Sequence, residues 1–219
     1  MTIKTIVTGA TGMVGEAVLL ECLSNPEVGE VLVINRKLAG VSHEKLREII
    51  HADFFDVSAL APQLTGYDAC FFCLGVSSVG MDAALYKRMT QDLTLGFAAA
   101  LAKANPDMSF CYITGKGTDS SEQGRVAWAR VKGATENALL RLFRRAYMFR
   151  PAMMKATPGQ KNLPRWYHAI AWIYPIGRAL FPGSFCTLQE VGRAMINAAS
   201  KGYPKRILEV ADIVALAKG

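Results

Sequence analysis

Up to Pro151, short continuous apolar runs alternate with longer stretches of helical period. Ile3–Thr8 reads as a first strand and Val14–Leu23 as the helix behind it. Val31-Leu32-Val33-Ile34-Asn35 is apolar without a break, the pattern expected when both faces of a parallel sheet are covered. Leu46–His51 is a third strand, Ser58–Gln63 a short helix and Ala69–Leu74 a fourth strand. Asp82–Ala104 is a long helix with small apolar residues on one face, followed by a fifth strand over Met108–Thr114. Arg125–Leu142 is another long helix, and Tyr147–Arg150 a sixth strand stopped by Pro151. Repeated strand–helix–strand units predict an α/β fold: a doubly wound parallel sheet with right-handed crossovers and strand order 3-2-1-4-5-6.

Past Pro151 the regularity weakens. Pro158-Gly159, Pro164, Pro175 and Pro182-Gly183 cut the chain into short pieces. Leu163–Phe181 is apolar and aromatic, but His168, Pro175 and Arg178 interrupt it, and a membrane span needs about 20 mainly apolar residues. It reads as a helical flap over a substrate cleft, with a surface helix that binds membrane or a second subunit as the alternative. Thr187-Leu188-Gln189-Glu190 carries a capping-box pattern for a helix running to Ala199, and Lys205–Val210 suits a last strand. Residues 1–219 are therefore read as one domain, with 151–219 a small irregular C-terminal extension on the substrate side.

Composition narrows the function classes. A net charge of +7 invites nucleic acid, but apart from Arg141, Arg144 and Arg145 the basic residues are scattered, so basic helix surfaces and a polyanionic ligand are the expectation. The five cysteines sit mostly within apolar runs. Cys70-Phe71-Phe72-Cys73 has the spacing of a metal or redox pair, but it lies in a buried strand with no second pair or histidine cluster to complete a site. Buried reduced thiols and no metal are expected. A first strand at Ile3 predicts no signal peptide, and with the reduced thiols a cytoplasmic location. The run Ala98-Ala99-Ala100 and Ala102 allows close helix packing, hence a homodimer through the long helices, or equally packing on the sheet.

The chemistry concentrates in Gly9-Ala10-Thr11-Gly12-Met13-Val14-Gly15, between the first strand and the first helix. Gly9 permits a tight turn, Gly12 lets a pyrophosphate approach the backbone, and Gly15 lets the helix pack on the strand. Thr11, Met13 and Val14 then present backbone N–H groups to an anion at the helix N-terminus. The pattern predicts dinucleotide binding in a Rossmann fold. At the end of the second strand, where an acidic residue would accept from a ribose 2′-hydroxyl, the chain has Asn35-Arg36-Lys37. A guanidinium there suits a 2′-phosphate, so NADP is favoured over NAD.

With these residues in hand, the chain resembles the short-chain dehydrogenase/reductase superfamily, in its extended and atypical branch of epimerase/dehydratase-like proteins. The resemblance covers nearly the whole chain. It rests on the glycine turn, Arg36, Ala52-Asp53, Cys73-Leu74-Gly75-Val76, Ile113-Thr114-Gly115, Lys132 and Phe149-Arg150-Pro151. It implies that Asp53 meets the adenine amino group, that Leu74 and Gly75 line the cofactor ribose, and that Pro151 borders the nicotinamide. It also implies an oxidoreductase or epimerase-like activity on a small carbonyl or hydroxyl substrate.

One position departs from the pattern. The family's acid catalyst is a tyrosine four residues before the helix lysine, and here Trp128-Ala129-Arg130-Val131-Lys132 puts tryptophan in its place. An indole N–H donates a hydrogen bond but is no proton-transfer acid near neutral pH. Lys132 and Trp128 thus form the expected catalytic corner, with Thr114 as stand-in for the family serine. Tyr112 and Lys116 share the spacing, but within a strand it spans about 13 Å. Tyr86 is a candidate phenol from the opposite wall, and His43, His51 and His168 have no ligand-like spacing. Two readings stay open: an NADP-dependent enzyme with a displaced acid, or a catalytically weak NADP-binding regulator or partner-binding module.

Overall fold

The computed structural model describes residues 2–164, 167 and 171–219. Its centre is a parallel sheet in the order β3-β2-β1-β4-β5-β6-β9, with β1 Ile3–Thr8, β2 Val28–Asn35, β3 Leu46–Ile50, β4 Ala69–Phe72, β5 Ser109–Ile113, β6 Arg145–Arg150 and β9 Ile207–Glu209. The expected 3-2-1-4-5-6 order is present, and β9 extends it by pairing parallel to β6 from Met148↔Ile207 to Arg150↔Glu209. The chain reverses direction across the sheet at β1 and β4, whose pairing runs from Thr5↔Ala69 to Thr8↔Phe72. In such sheets ligands bind where the carboxyl ends of the strands diverge at this point.

Apolar residues on the two faces of the strands build two cores. On one face Val7, Val31, Val33 and Phe71 pack with α1 (Met13–Ser24). The same core takes in residues of α6 (Leu188–Ser200) and α7 (Val210–Leu216). On the other, Ile6, Leu32, Phe72 and Phe110 pack with α3 (Leu93–Ala104) and α4 (Ala127–Leu142). The long helix expected from Asp82 exists but is not uniform: α2 (Ala83–Lys87) passes through a π-turn at Arg88–Asp92 before α3. Asp82 caps it by accepting from the N–H groups of Ala84 and Leu85. The alanine run divides, Ala98 being fully buried in the core and Ala99 exposed.

Past Pro151 a two-stranded parallel ribbon forms from β7 (Met153–Lys155) and β8 (Phe185–Thr187), a pairing that the apolar pattern did not signal. Between them, α5 (Tyr174–Leu180) leaves Ile176, Leu180 and, just past its end, Phe181 exposed. Residues 165, 166 and 168–170 of the expected flap, Trp166 and His168 included, lie outside the described residues. The capping box at Thr187 is present, with Thr187 Oγ1 accepting from Glu190 N at 3.0 Å and Glu190 Oε2 from Thr187 N at 2.6 Å. Among the described residues no helix is long and apolar enough to cross a membrane, and no group of histidine, cysteine or acidic residues could hold a metal. The five cysteines are free, and burial pushes the Cys73 thiol up to about 12.

Candidate functional site: a dinucleotide cleft and its catalytic corner

The turn between β1 and α1 is fixed by backbone clearance. Gly9 has φ +71°, and a Cβ there would lie 2.7 Å from the backbone of Cys73 and Leu74. A Cβ on Gly15 would lie 2.1 Å from Gly9 O. Gly12, the N-cap of α1, is different. Its φ of −103° and ψ of 167° suit any residue, and the nearest atom to a Cβ would be Gly9 O at 3.4 Å. Neither conformation nor internal packing requires glycine at 12, so its missing side chain leaves open the approach to the helix N-terminus. Asn35, at the end of β2, braces the turn by accepting from Ala10 N at 3.2 Å.

Two clefts flank this turn. One, of about 300 Å³, is lined by Arg36, Asp53, Phe54, Phe55, Leu74 and Gly75 with Met89 of the π-turn. The expected cofactor residues from three separate strand ends thus share one cavity. Its lining is mostly apolar. Asp53 is exposed and Oδ1 accepts from Phe55 N at 2.9 Å. The loop is held from below by His51, whose Nε2 lies 2.6 Å from Asp53 O and 2.8 Å from Asp56 O. The second cleft, about 600 Å³, is lined by Thr11, Arg36, Lys37, Leu38 and Asn162. Arg36 stands exposed on the rim common to both.

The residues expected to form a catalytic corner lie at the carboxyl ends of β5 and β6 and on α4. Trp128 sits in the first turn of α4, half-buried, and its ring edge Cη2 would lie 3.7 Å from a Cβ on Gly117. Lys132 follows one turn on, and its Nζ donates to Thr114 O at 2.9 Å, with Ile113 O at 3.5 Å. Burial pulls its pKa down to about 8, against the opposing attraction of Glu136. Its aromatic neighbour is Tyr112, whose ring centroid lies 5.9 Å away. Thr114 is buried, and Oγ1 is 2.6 Å from Glu136 Oε1 and 3.1 Å from Phe149 O. Its one proton is therefore directed inward, away from the position a serine stand-in needs. Pro151 is buried beside this corner and accepts from Lys116 N at 2.9 Å.

Sequence reasoning missed the network beneath. Glu136 is fully buried and pairs with Arg150, whose Nε lies 3.1 Å from Oε1 while Nη2 bonds Oε2. Arg150 Nη2 also donates to Ser120 Oγ at 2.5 Å. The signal was available: Glu136 follows Lys132 by four residues, on the same helix face. Tyr112 and Lys116 do not form a pair, since Tyr112 is buried in the sheet core while the Lys116 ammonium, on an exposed loop, donates to Ser184 Oγ at 2.7 Å. Tyr86 is buried, and burial raises its phenol pKa.

The pattern of the NAD dependent epimerase/dehydratase family matches residues 5–119, just over half the chain and all of the cleft up to the end of β5. The chain belongs to this family. A protein of Emericella nidulans named protein fmp52, mitochondrial, is 27% identical over 206 residues, 88% of this chain and 85% of its own. Among solved structures, the UDP-N-acetylglucosamine 4-epimerase of Methanobrevibacter ruminantium M1, in complex with UDP-N-acetylmuramic acid, is similar with a TM-score of 0.68 at 18% identity. That match covers 94% of this chain and 75% of that one. The Bordetella bronchiseptica enzyme WbmF, in complex with NAD+, is similar with a TM-score of 0.66 at 17% identity, over 98% of this chain and 77% of that one.

The cofactor expectation is corrected by this finding. WbmF was solved with NAD+, as was its similar neighbour WbmG with NAD, and not with NADP. The physical reason lies in the position of Arg36: a guanidinium at the edge of a mostly apolar cleft can cover an adenine face by cation–π stacking, with no 2′-phosphate to bind. A basic residue after β2 therefore does not by itself select NADP.

Proposed function

We propose that this family member binds NAD with its adenine in the Arg36–Asp53–Gly75 cleft and its pyrophosphate at Gly12, and serves a redox or epimerase-like reaction on a small carbonyl or hydroxyl substrate. One observation carries the reading: Gly12 is glycine where the protein itself has no need of one. The backbone N–H groups of Met13 and Val14 and the dipole of the twelve-residue α1 favour an anion at that place. When bound, the nicotinamide supplies hydride transfer. Toward it, Lys132 offers an ammonium for the ribose hydroxyls, and Pro151 an apolar wall. Trp128 offers an indole N–H that holds but does not transfer a proton.

Titration calorimetry tests this. NAD binds the wild type at least as tightly as NADP, and Gly12→Val folds normally but binds neither, because its side chain fills the anion's approach. No heat with either dinucleotide would overturn the reading.

Two observations favour a second reading, an NAD-binding protein of weak catalytic power. The acid phenol is replaced by Trp128, and the Thr114 hydroxyl is turned to Glu136. General acid help is worth about 10²–10⁴-fold, so its loss leaves binding intact and turnover slow. Trp128→Tyr separates the two. A gain in NADH-dependent turnover of about 10²-fold, absent when Lys132→Met is added, supports the weak-catalyst reading. Brisk wild-type turnover unchanged in Trp128→Phe supports an enzyme with its acid elsewhere.

A further inference from the structure

The segment after β7 returns to the dinucleotide half of the molecule. Gln160 Nε2 donates to Met13 O at 2.7 Å, the first residue of α1. Glu16, in the first turn of that helix and 6% exposed, accepts from two successive backbone amides, Lys161 N at 2.8 Å on Oε1 and Asn162 N at 2.7 Å on Oε2. Asn162 in turn lines the cleft that opens beside Thr11 and Arg36. The segment is stiffened on its own side. Thr157 N donates to Gln160 Oε1 at 2.7 Å, and Ala156 N to the Tyr167 hydroxyl at 2.6 Å.

An acidic side chain at this place calls for a reason. A carboxylate in the first turn of α1 suits the helix dipole, but it stands one turn from where a pyrophosphate would lie, and like charges repel. Here both carboxylate oxygens are occupied by amides of a segment some 145 residues away in sequence. Charge-assisted hydrogen bonds of this kind are about twice as strong as neutral ones.

We propose that residues 157–162 form a strap across the mouth of the pyrophosphate cleft and that Glu16 is the positioning residue that latches it, so that Glu16 governs how fast the dinucleotide leaves. This rests on the dinucleotide reading above. Opening the latch breaks the two Glu16 bonds and the Gln160 bond together, with Met153–Lys155 left paired to β8 as the fixed end.

The test is NADH release followed by stopped-flow fluorescence, alongside amide hydrogen exchange of Lys161 and Asn162 in the protein without cofactor. Glu16→Ala releases NADH roughly tenfold faster or more, the loss expected when hydrogen bonds to a charged group are removed, and both amides lose protection. Glu16→Gln sets latch against charge. A latch predicts faster release, since the amide offers only one oxygen to two donors; simple relief of repulsion predicts slower release. Gln160→Ala, distant from the helix interior, gives a smaller change of the same sign and serves if Glu16→Ala is unstable. Wild-type protein that binds no NADH would sink the dinucleotide reading and this proposal with it. NADH binding with release unchanged in Glu16→Ala and Gln160→Ala, or slower in Glu16→Gln, would overturn the latch alone.

Discussion

The glycine turn and the candidate catalytic corner hold their positions by different physics. At the turn, backbone meets backbone: Gly9 against Cys73 and Gly15 against Gly9 leave no space for even a methyl group. At the corner, side chains do the holding: Glu136 binds the Arg150 guanidinium and the Thr114 hydroxyl, and Lys132 donates to the Thr114 backbone carbonyl. The first arrangement leaves no room for a side chain at Gly9 or Gly15. The second can be rewired one residue at a time, and here it carries tryptophan where the family carries an acid.

The largest effect expected from this contrast is at Gly15. Gly15→Ala places a carbon 2.1 Å from a backbone oxygen that cannot move without opening the β1–α1 turn. The expected loss is more than about 3 kcal/mol, read by urea denaturation, beyond the usual range for overpacking. A folded Gly15→Ala with wild-type stability would break the comparison on the backbone side.

Next comes Glu136→Ala, which leaves a largely buried Arg150, its side chain 10% exposed, with the half-exposed Glu209 at 3.4 Å and the Ser120 hydroxyl in place of its buried carboxylate. Removing one partner of a buried pair costs about 3–5 kcal/mol, and a replacement of both by apolar residues of similar volume costs much less. Denaturation of Glu136→Leu/Arg150→Met beside the single variant checks the difference. If the double variant is as unstable as the single, the corner is not an exchangeable network.

The smallest effect concerns pH. Lys132 has its pKa lowered to about 8 by burial, so the ammonium persists below that pH and is lost above it. An ammonium that holds the ribose hydroxyls makes NAD affinity decline as pH rises through about 8. In Lys132→Met the affinity is lower and flat across the same range. Calorimetry at pH 7 and 9 on both proteins reads this, and a wild-type profile that rises with pH would remove Lys132 from the cofactor.

The contrast also explains what the amino-acid sequence disclosed. Glycine positions between a strand and a helix are local and few, so the turn was readable; the sheet order followed from the strand–helix alternation, Arg36 from its place after β2, and Asp53, Leu74 and Gly75, which line the same cleft, from the family resemblance. Strand β9 was placed correctly near Lys205–Val210, but its pairing to β6 was not, because a three-residue strand carries too little pattern to name its neighbour. The inward turn of Thr114 depends on a carboxylate 22 residues away. The strap depends on Glu16, an acidic residue that looks in the sequence like any solvent-facing first-turn glutamate. Both are long-range side-chain choices, and hydrophobic periodicity holds no record of them.

The packing of α6 on α1 bears on how the chain is made. Gly192 of α6 lies so close to α1 that a Cβ there would be 2.9 Å from the Cβ of Glu21, and Arg193 Nε donates to Glu21 at 2.8 Å. The helix that follows the glycine turn thus waits for a partner synthesised some 170 residues later. At about 5–20 residues per second, the nascent chain carries an uncovered apolar face on β1 and α1 for roughly 10–30 s. Over that interval α1 lacks its helical cover, and the sheet is completed later still, when β9 emerges after α6 and pairs with β6.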